Sequence, residues 1–585
     1  MIAMIIHDFD MNFIEEKIKE ALYHAGVQGD IIFSQPPKPE MGDLAFACFD
    51  LAKKEGKNPV EIARELAGRI VETRLIASVQ AFGPYVNFYL NAGEVAKLVI
   101  CEVNKKNYGA SDFGKRKKMM IEYPSQNTHK EFHIGHLRNV CIGNTLMQLY
   151  KKSGYKIVPV NYINDFGAHV VKCLWWIMRK GRDALQCVCT ENRQRWLGEM
   201  YAEASNYIKE HTVETQNLAS LQIKSELDEL QKKLEKKDHE TMKLFKETRK
   251  WSLDGFKKID KELGLKYKEI FLESDVKDGG QKIVDELLAK KIAQVGERGA
   301  IIIDLTQCGL DIALIRKSTG AGVYLTSDFG LAIKKFKKYK VDESINITGS
   351  EQDFYFKQLF KVLELYGFKH KMSHIGYGLV NLPSGKMSSR AGNVILYDDL
   401  RDEVFARMLA EAQTRHTDWS KKKMEKTALV LTMAILKFTM QKHEANKVIT
   451  FDLKEAVSFE GFSAPYLLYV VARINSLLRK SKVHKVCKVH KVLAKLATSE
   501  EKKLLMLIGE YGEVVKKAME NKNPSVIAKY CFDLAQAFND FYNKHSVLSA
   551  ENKELTLARL ALCGAVKKVL VDALGLLTID VVEEM

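Results

Sequence analysis

The sequence predicts an α/β protein: a parallel β-sheet with helices on both faces, a small α+β unit before it and an all-helical bundle after it. Three observations predict this. The chain has 585 residues, too many for one hydrophobic core. From about Met119, strand-like and helix-like stretches alternate, the pattern of βα units. After about Leu400, prolines are scarce and apolar residues recur at helical period to the end.

In the first unit (1–106), Asn58-Pro59-Val60-Glu61 has the form of a helix start, with an Asn cap and proline at the first helical position. Ile62, Leu66 and Ile70 follow at helical spacing, and Tyr85 to Leu90 reads as a strand. The glycine-bearing, basic stretch Asn107 to Lys118 reads as a linker into the second unit (107–400). Strands are expected at Met119–Tyr123, Lys156–Ile163, Ala300–Leu305 and Ser344–Thr348, all in one parallel sheet whose strand ends would bind a nucleotide near the topological switch point. From about Tyr201 to Lys250 the alternation breaks, and Leu218, Leu221, Leu227, Leu230 and Leu234 suggest an amphipathic helical insertion. The third unit (401–585) is the helical bundle.

Composition narrows the function. The apolar fraction, 46%, is ordinary for globular protein. No apolar run approaches the roughly 18 residues that span a bilayer. The N-terminus has no basic region ahead of its apolar start, so no export signal is read and the cytoplasm is the expected compartment. The net charge of +16 fits either a lysine-rich surface or a polyanionic partner. The segment Arg473 to Lys491 is basic and holds no acid; a solvated helix face and phosphate contacts both suit it. The near-repeat Val483-His484-Lys485-Val486 and Val489-His490-Lys491-Val492 inside it has no functional reading. Ten cysteines include no C-x-x-C pair, which argues against structural zinc, and no metal ligands are assigned.

Two segments carry chemistry. His133-Ile134-Gly135-His136 follows a strand and opens a helix, where unpaired N–H groups favour phosphate. The histidines share a face of the first turn, and Gly135 permits close approach of a nucleotide. Alone, the segment fits capping and packing as well as phosphate binding. Lys386-Met387-Ser388-Ser389-Arg390 lies between glycines and could neutralise a leaving pyrophosphate; alone, it is an exposed basic turn.

Together they resemble the HIGH and KMSKS signatures of class I aminoacyl-tRNA synthetases. Glu122 through Asn139, Tyr324-Leu325-Thr326-Ser327-Asp328 and Gly349 through Gly367 are similar to the arginyl-tRNA synthetase family in particular. The resemblance extends to Pro36–Asp43 at one end and to Ser458–Gly461, Pro465–Leu467 and Val581–Met585 at the other. It implies a Rossmann-type class I catalytic unit between an N-terminal tRNA-contacting domain and an anticodon-binding bundle. It also implies arginine–tRNA ligase activity: arginine and ATP, accompanied by Mg²⁺, give arginyl-adenylate and pyrophosphate, and the arginyl group passes to the terminal adenosine of tRNA(Arg). In this family the first step usually needs bound tRNA. No tightly bound cofactor and no membrane are implied, and a monomer is expected.

Carried over by resemblance, ATP meets His133, Gly135, His136, Gln352, Lys386, Met387 and Ser388. Arginine meets Ser125, Asn127, Glu273, Tyr324 and Asp328, the acids accepting the guanidinium fork. Phe271-Leu272-Glu273 lacks the family's usual glycine before the glutamate. Ser389 stands where the second lysine of KMSKS is expected, and Lys130, just before the first motif, is the expected substitute charge; His133, His136, Lys130, Lys386 and Arg390 form the catalytic set. For tRNA, Tyr85 would stack on a base and Asn87 read a base edge, unless Tyr85 merely packs in its sheet; Tyr469 and Met585 face the anticodon. Three alternatives compete: a class I synthetase for lysine, a non-catalytic tRNA-binding paralogue and a smaller nucleotidyltransferase. The last leaves the terminal domains unexplained.

Overall fold

The computed structural model describes all residues except 1–12, 182–184, 186–187, 191–192, 213–217, 321, 384–394 and 482–490. The second motif, Lys386 to Arg390, and the repeat around His484 and His490 lie outside the described residues.

The central sheet is built from β1 (Lys118–Glu122), β2 (Lys156–Ile163), β3 (Glu269–Leu272), β4 (Glu343–Gly349) and β5 (Lys371–Tyr377). All neighbours are parallel, in the order β5-β4-β1-β2-β3. The order reverses at β1, so the crevice for a ligand opens above the C-terminal ends of β1 and β4. The middle of β1, Met119 to Ile121, is apolar because both its faces are covered. Met119 and Ile121 join one core and Met120 joins another on the opposite side.

Two insertions interrupt the alternation. Between β2 and β3 stand helices Ala168–Lys180, Arg193–Thr212, Leu218–Glu235 and His239–Leu263, with a core that includes Leu174, Leu230, Leu234 and Phe245. The helical excursion therefore runs well beyond 201–250, and Leu221 is exposed rather than part of its apolar face. Between β3 and β4 stand helix Lys277–Ala289, a small sheet and helix Tyr324–Tyr339. The strand expected near 300–305 is real, Ile301–Asp304, but it belongs to this separate antiparallel sheet, paired with Gln294–Val295 and Ile312–Arg316. Ile301, Ile303, Ala313 and Ile315 form that sheet's buried face against Leu325 and Phe329 of the following helix. β3 and β5 complete the parallel sheet at its two edges, where short length and polar residues hide the strand signal.

The N-terminal unit is a four-stranded antiparallel sheet, with Leu44–Ala47 and Tyr85–Leu90 central, packed with helices Phe13–His24 and Pro59–Arg69. Asn58 caps the latter helix, accepting from the Val60 amide at 2.9 Å. The expected linker 107–118 is instead a packed crossing: Ser111 and Gly114 amides bond the carbonyls of Lys152 and Ser153. A Cβ on Gly114 would lie 2.5 Å from the Tyr155 ring. Helices from Tyr397 to Leu576 form the C-terminal part, with one two-residue strand, Ile449–Thr450, pairing with Val380–Asn381. The N-terminal unit seats directly on the bundle: a Cβ on Gly93 would lie 2.7 Å from the Ala494 Cα, and Lys502 pairs with Asp43 at 2.9 Å. No helix among the described residues is long and apolar enough to cross a membrane.

Candidate active site

β1 ends in the loop 123–133, which is held in an uncommon backbone shape. Ser125 and His129 have φ of 57° and 61°, the left-handed region that costs a residue with a Cβ of order 1 kcal/mol. Buried polar anchors hold it there. The Ser125 amide donates to Asn161 Oδ1 at 3.2 Å, and the His129 amide donates to Ser252 Oγ at 2.9 Å.

The loop delivers His133 to the N-cap of helix Ile134–Lys152. His133 Nδ1 accepts the Gly135 amide at 3.1 Å, and His136 Nδ1 accepts the His133 amide at 3.3 Å. The rings stack with centroids 3.8 Å apart. A backbone N–H can only donate, so both Nδ1 atoms are unprotonated and each ring carries its proton on Nε2. Burial, reinforced by Lys130, lowers His133 to about 4 and holds His136 well below the usual histidine range. The pair is thus two neutral N–H donors at a helix N-terminus, suited to phosphate oxygens. A Cβ on Gly135 would also crowd the His133 ring, at 3.0 Å.

The same helix grips both borders of the second motif. Arg138 is fully buried and donates to the carbonyls of Gly378 at 2.6 Å, Lys447 at 2.7 Å and Glu444 at 3.0 Å. Downstream of the motif, the Ile134 amide bonds the Ile395 carbonyl and the Tyr397 amide bonds the Phe132 carbonyl, both at 3.0 Å. The chain entering and the chain leaving the second motif are therefore tied to the start of the first. Gln352 is exposed just beyond the end of β4, at the same edge of the sheet.

An acidic pocket lies beside this edge. Glu273 follows β3 and Asp328 lies on the first turns of helix Tyr324–Tyr339. Glycines bring them together. Helices Lys277–Ala289 and Tyr324–Tyr339 cross backbone to backbone, since a Cβ on Gly280 would fall 1.7 Å from the Thr326 carbonyl oxygen and one on Gly330 2.6 Å from that of Val276. Glu273 is only 7% exposed, and its Oε2 has no hydrogen-bond partner among the described residues. Burial, then the facing charge of Asp328, raises Glu273 to about 8. Burial likewise raises Asp328 to about 7, although the Tyr355 hydroxyl donates to it. Asp328 is near enough to raise Glu273, and the buried Glu273 oxygen without a partner among the described residues is an acceptor suited to a cationic group. Tyr324 is half-exposed at the rim, its hydroxyl held up by burial and by Glu273. Asn127 lies across from β2, its Oδ1 accepting Asn164 Nδ2 at 3.3 Å.

Comparison with known proteins bears on the whole chain. Residues 98–452 match the profile of the class I tRNA synthetase (R) catalytic domain, residues 467–585 that of the DALR anticodon binding domain, and residues 12–90 that of the arginyl tRNA synthetase N terminal domain. An arginine–tRNA ligase of Borrelia duttonii is 31% identical over 98% of both chains. The chain belongs to the arginyl-tRNA synthetase family. A second relative, the arginine–tRNA ligase of Clostridium beijerinckii, is 34% identical over 94% of this chain and 95% of its own. The Thermus thermophilus arginyl-tRNA synthetase shares the fold, with a TM-score of 0.79 at 24% identity, covering 98% of this chain and 99% of its own.

In this arginyl-tRNA synthetase family member, Lys130 stands with its Nζ 4.9 Å from the Tyr201 ring centroid, close enough to lower three imidazoles, those of His133, His136 and His169. Tyr85 is at the surface, edge-on to Phe49. Asn87 differs from its sequence reading: it is 3% exposed, and its amide donates to the carbonyl of Met41 in the turn Pro39–Met41 at 2.7 Å, so the side chain is turned to the protein rather than to the surface. Tyr469 is half-buried beneath the Arg473 guanidinium, 4.6 Å from its ring centroid. Met585 packs against the bundle core.

Sequence reasoning missed Asp165, Arg249 and His169. Asp165 is fully buried, accepts the Ser274 amide at 2.9 Å and hydroxyl at 2.7 Å, and pairs with Arg249 at 2.8 Å, fixing the turn that carries Glu273. Asp165 and His169 lie just past the C-terminal end of β2, where α/β sheets collect ligands, and that rule was the available signal.

Proposed function

We propose that this chain activates L-arginine with ATP and transfers the arginyl group to the 3′-terminal adenosine of tRNA(Arg), and that the first step depends on bound tRNA. The observation that carries the amino-acid assignment is the Glu273–Asp328 pocket. A guanidinium presents a planar fork of N–H donors and keeps its charge at any working pH. Two raised carboxylates near Tyr324 supply acceptors for that fork, and the buried Glu273 Oε2 has no other partner among the described residues.

In the proposed reaction, the arginine carboxylate oxygen attacks the α-phosphorus of ATP, and the bond to the β,γ-pyrophosphate breaks. The Nε2–H groups of His133 and His136 donate to phosphate oxygens as charge builds on them. Lys130 takes the place of the lysine absent at Ser389, with Lys386 and Arg390 sharing the charge of the leaving pyrophosphate. Mg²⁺ enters with ATP and neutralises the phosphates. In the second step the terminal 2′-hydroxyl attacks the adenylate carbonyl carbon and AMP leaves. Gln352 and Gly135 line the nucleotide, while Ser125 and Asn127 hold the amino-acid end. Tyr85, Tyr469 and Met585 are proposed to meet tRNA; the exposure of Tyr85 and the Arg473 stack on Tyr469 support the first two.

Amino-acid-dependent exchange of pyrophosphate into ATP, with and without tRNA, tests the reading. Exchange with arginine that appears only with tRNA is expected; exchange with lysine contradicts it. For Lys130→Ala, the loss in adenylation is expected to exceed tenfold, about 1.4 kcal/mol of barrier; a smaller loss removes Lys130 from the catalytic set.

A further inference from the structure

His169 opens the helix Ala168–Lys180 after β2 and belongs to neither motif. It is 6% exposed. Its Nε2 lies 3.2 Å from the Asn164 carbonyl oxygen. A carbonyl only accepts, so the ring proton is on Nε2 and Nδ1 keeps its lone pair. Nδ1 has no hydrogen-bond partner among the described residues.

One contact says what Nδ1 faces, and two further groups stand near the ring. Gly167 has φ of +128°, open to glycine alone, and a Cβ there would lie 3.8 Å from His169 Nδ1 and 3.8 Å from the Tyr324 hydroxyl. These two polar atoms therefore border one space, at most twice that distance apart. Lys130 is near enough that its charge adds to burial in lowering His169 to about 4. Beneath, Asn164 joins His169 to the substrate loop: its carbonyl also accepts the Thr128 amide at 3.1 Å, and its Nδ2 donates to Asn127 Oδ1.

An amino acid with its side chain at Glu273 and Asp328 and its carboxylate near Lys130 and His133 must hold its α-ammonium between them. An ammonium has three donors and needs several acceptors. We propose that His169 Nδ1 accepts a hydrogen bond from the α-ammonium of the bound amino acid, beside Asn127, and so helps to aim the carboxylate at ATP. This rests on the arginine reading above. A neutral imidazole is required, because a protonated one would repel the ammonium. Burial maintains that neutrality, and the Asn164 carbonyl selects the tautomer that leaves the acceptor free.

The test compares ligands that keep or lack the ammonium, using the full chain with tRNA. Agmatine keeps the guanidinium and the amine but has no carboxylate. 5-Guanidinopentanoate keeps the guanidinium and the carboxylate but has no α-amine. For His169→Ala, the arginine KM and the agmatine Ki are expected to rise roughly tenfold to a hundredfold, the usual range for a hydrogen bond to a charged group. The 5-guanidinopentanoate Ki should stay within about twofold, since that ligand lacks the bond. His169→Gln, which restores a side-chain acceptor, should recover most of the loss. A parallel rise for all three ligands indicates a structural role and overturns the proposal, as does no rise for any. If the unaltered chain neither uses arginine nor binds the two analogues, the arginine reading fails and takes this inference with it.

Discussion

The two imidazoles at the start of helix Ile134–Lys152 are neutral, stacked and each bonded to a backbone amide, whereas the two carboxylates across the crevice are pushed up by burial and face each other. The histidine end is complete without a ligand: its donors are aimed by main-chain groups that do not change during reaction. The acid end keeps a buried carboxylate oxygen with no partner among the described residues, which the proposed function fills with the guanidinium. On the proposed function, one region meets charge that develops and the other recognises charge already present. Such division suits an enzyme that must select an amino acid before activating it.

The largest effect should come from the acid end. Glu273→Gln or Asp328→Asn removes one charge of a buried triad with the substrate, and kcat/KM for arginine should fall roughly a thousandfold, about 4 kcal/mol. The ATP KM should change little; an equal rise in both KM values would mean that the acids only support the fold. At the histidine end the reverse split is expected. His136→Ala should lower kcat about a hundredfold, near 2.7 kcal/mol, with the arginine KM nearly unchanged. A loss confined to the arginine KM would erase the distinction between the two ends. A smaller effect tests how the acid end is assembled. Gly280→Ala forces the helices Lys277–Ala289 and Tyr324–Tyr339 apart, costing about 1–3 kcal/mol, and should lower the thermal midpoint while raising the arginine KM more than the ATP KM. An unchanged midpoint would show that the crossing tolerates a side chain.

The histidine end was largely legible in the sequence because its signal is local. His133, Gly135 and His136 sit within one helical turn, directly after a strand, and short-range rules suffice to place them. The acid end was not. Glu273 and Asp328 are far apart in sequence and meet through a glycine crossing that nothing in the periodicity announces; only the family resemblance named them. The same limit explains the misplaced strand Ile301–Asp304, whose apolar alternation is genuine but cannot say which sheet it joins. It also explains the stretch 107–118, where glycines that read as flexibility are instead points of tight packing against Tyr155 and Tyr511. Asn87 reads as an amide free for a base edge and is a buried one, because the turn at Met41 and Gly42 folds over it, a contact from a distant part of the chain that strand pattern does not give.

The contrast between the two ends becomes a proton count. His133 and His136 lie too low to titrate near neutrality, whereas Glu273 near 8 and Asp328 near 7 hold protons there that a bound guanidinium must displace. A raised carboxyl keeps its proton below its folded pKa and loses it above, so arginine binding should weaken as pH falls from 8 to 6, by at least tenfold for one displaced proton. Calorimetric titration of arginine into the tRNA-bound chain at pH 7, repeated in buffers of different ionisation enthalpy, reads this directly. Release of protons on binding, fading as pH approaches 9, is the expected result. Binding heats that do not depend on the buffer would contradict a protonated acid pocket awaiting its cation.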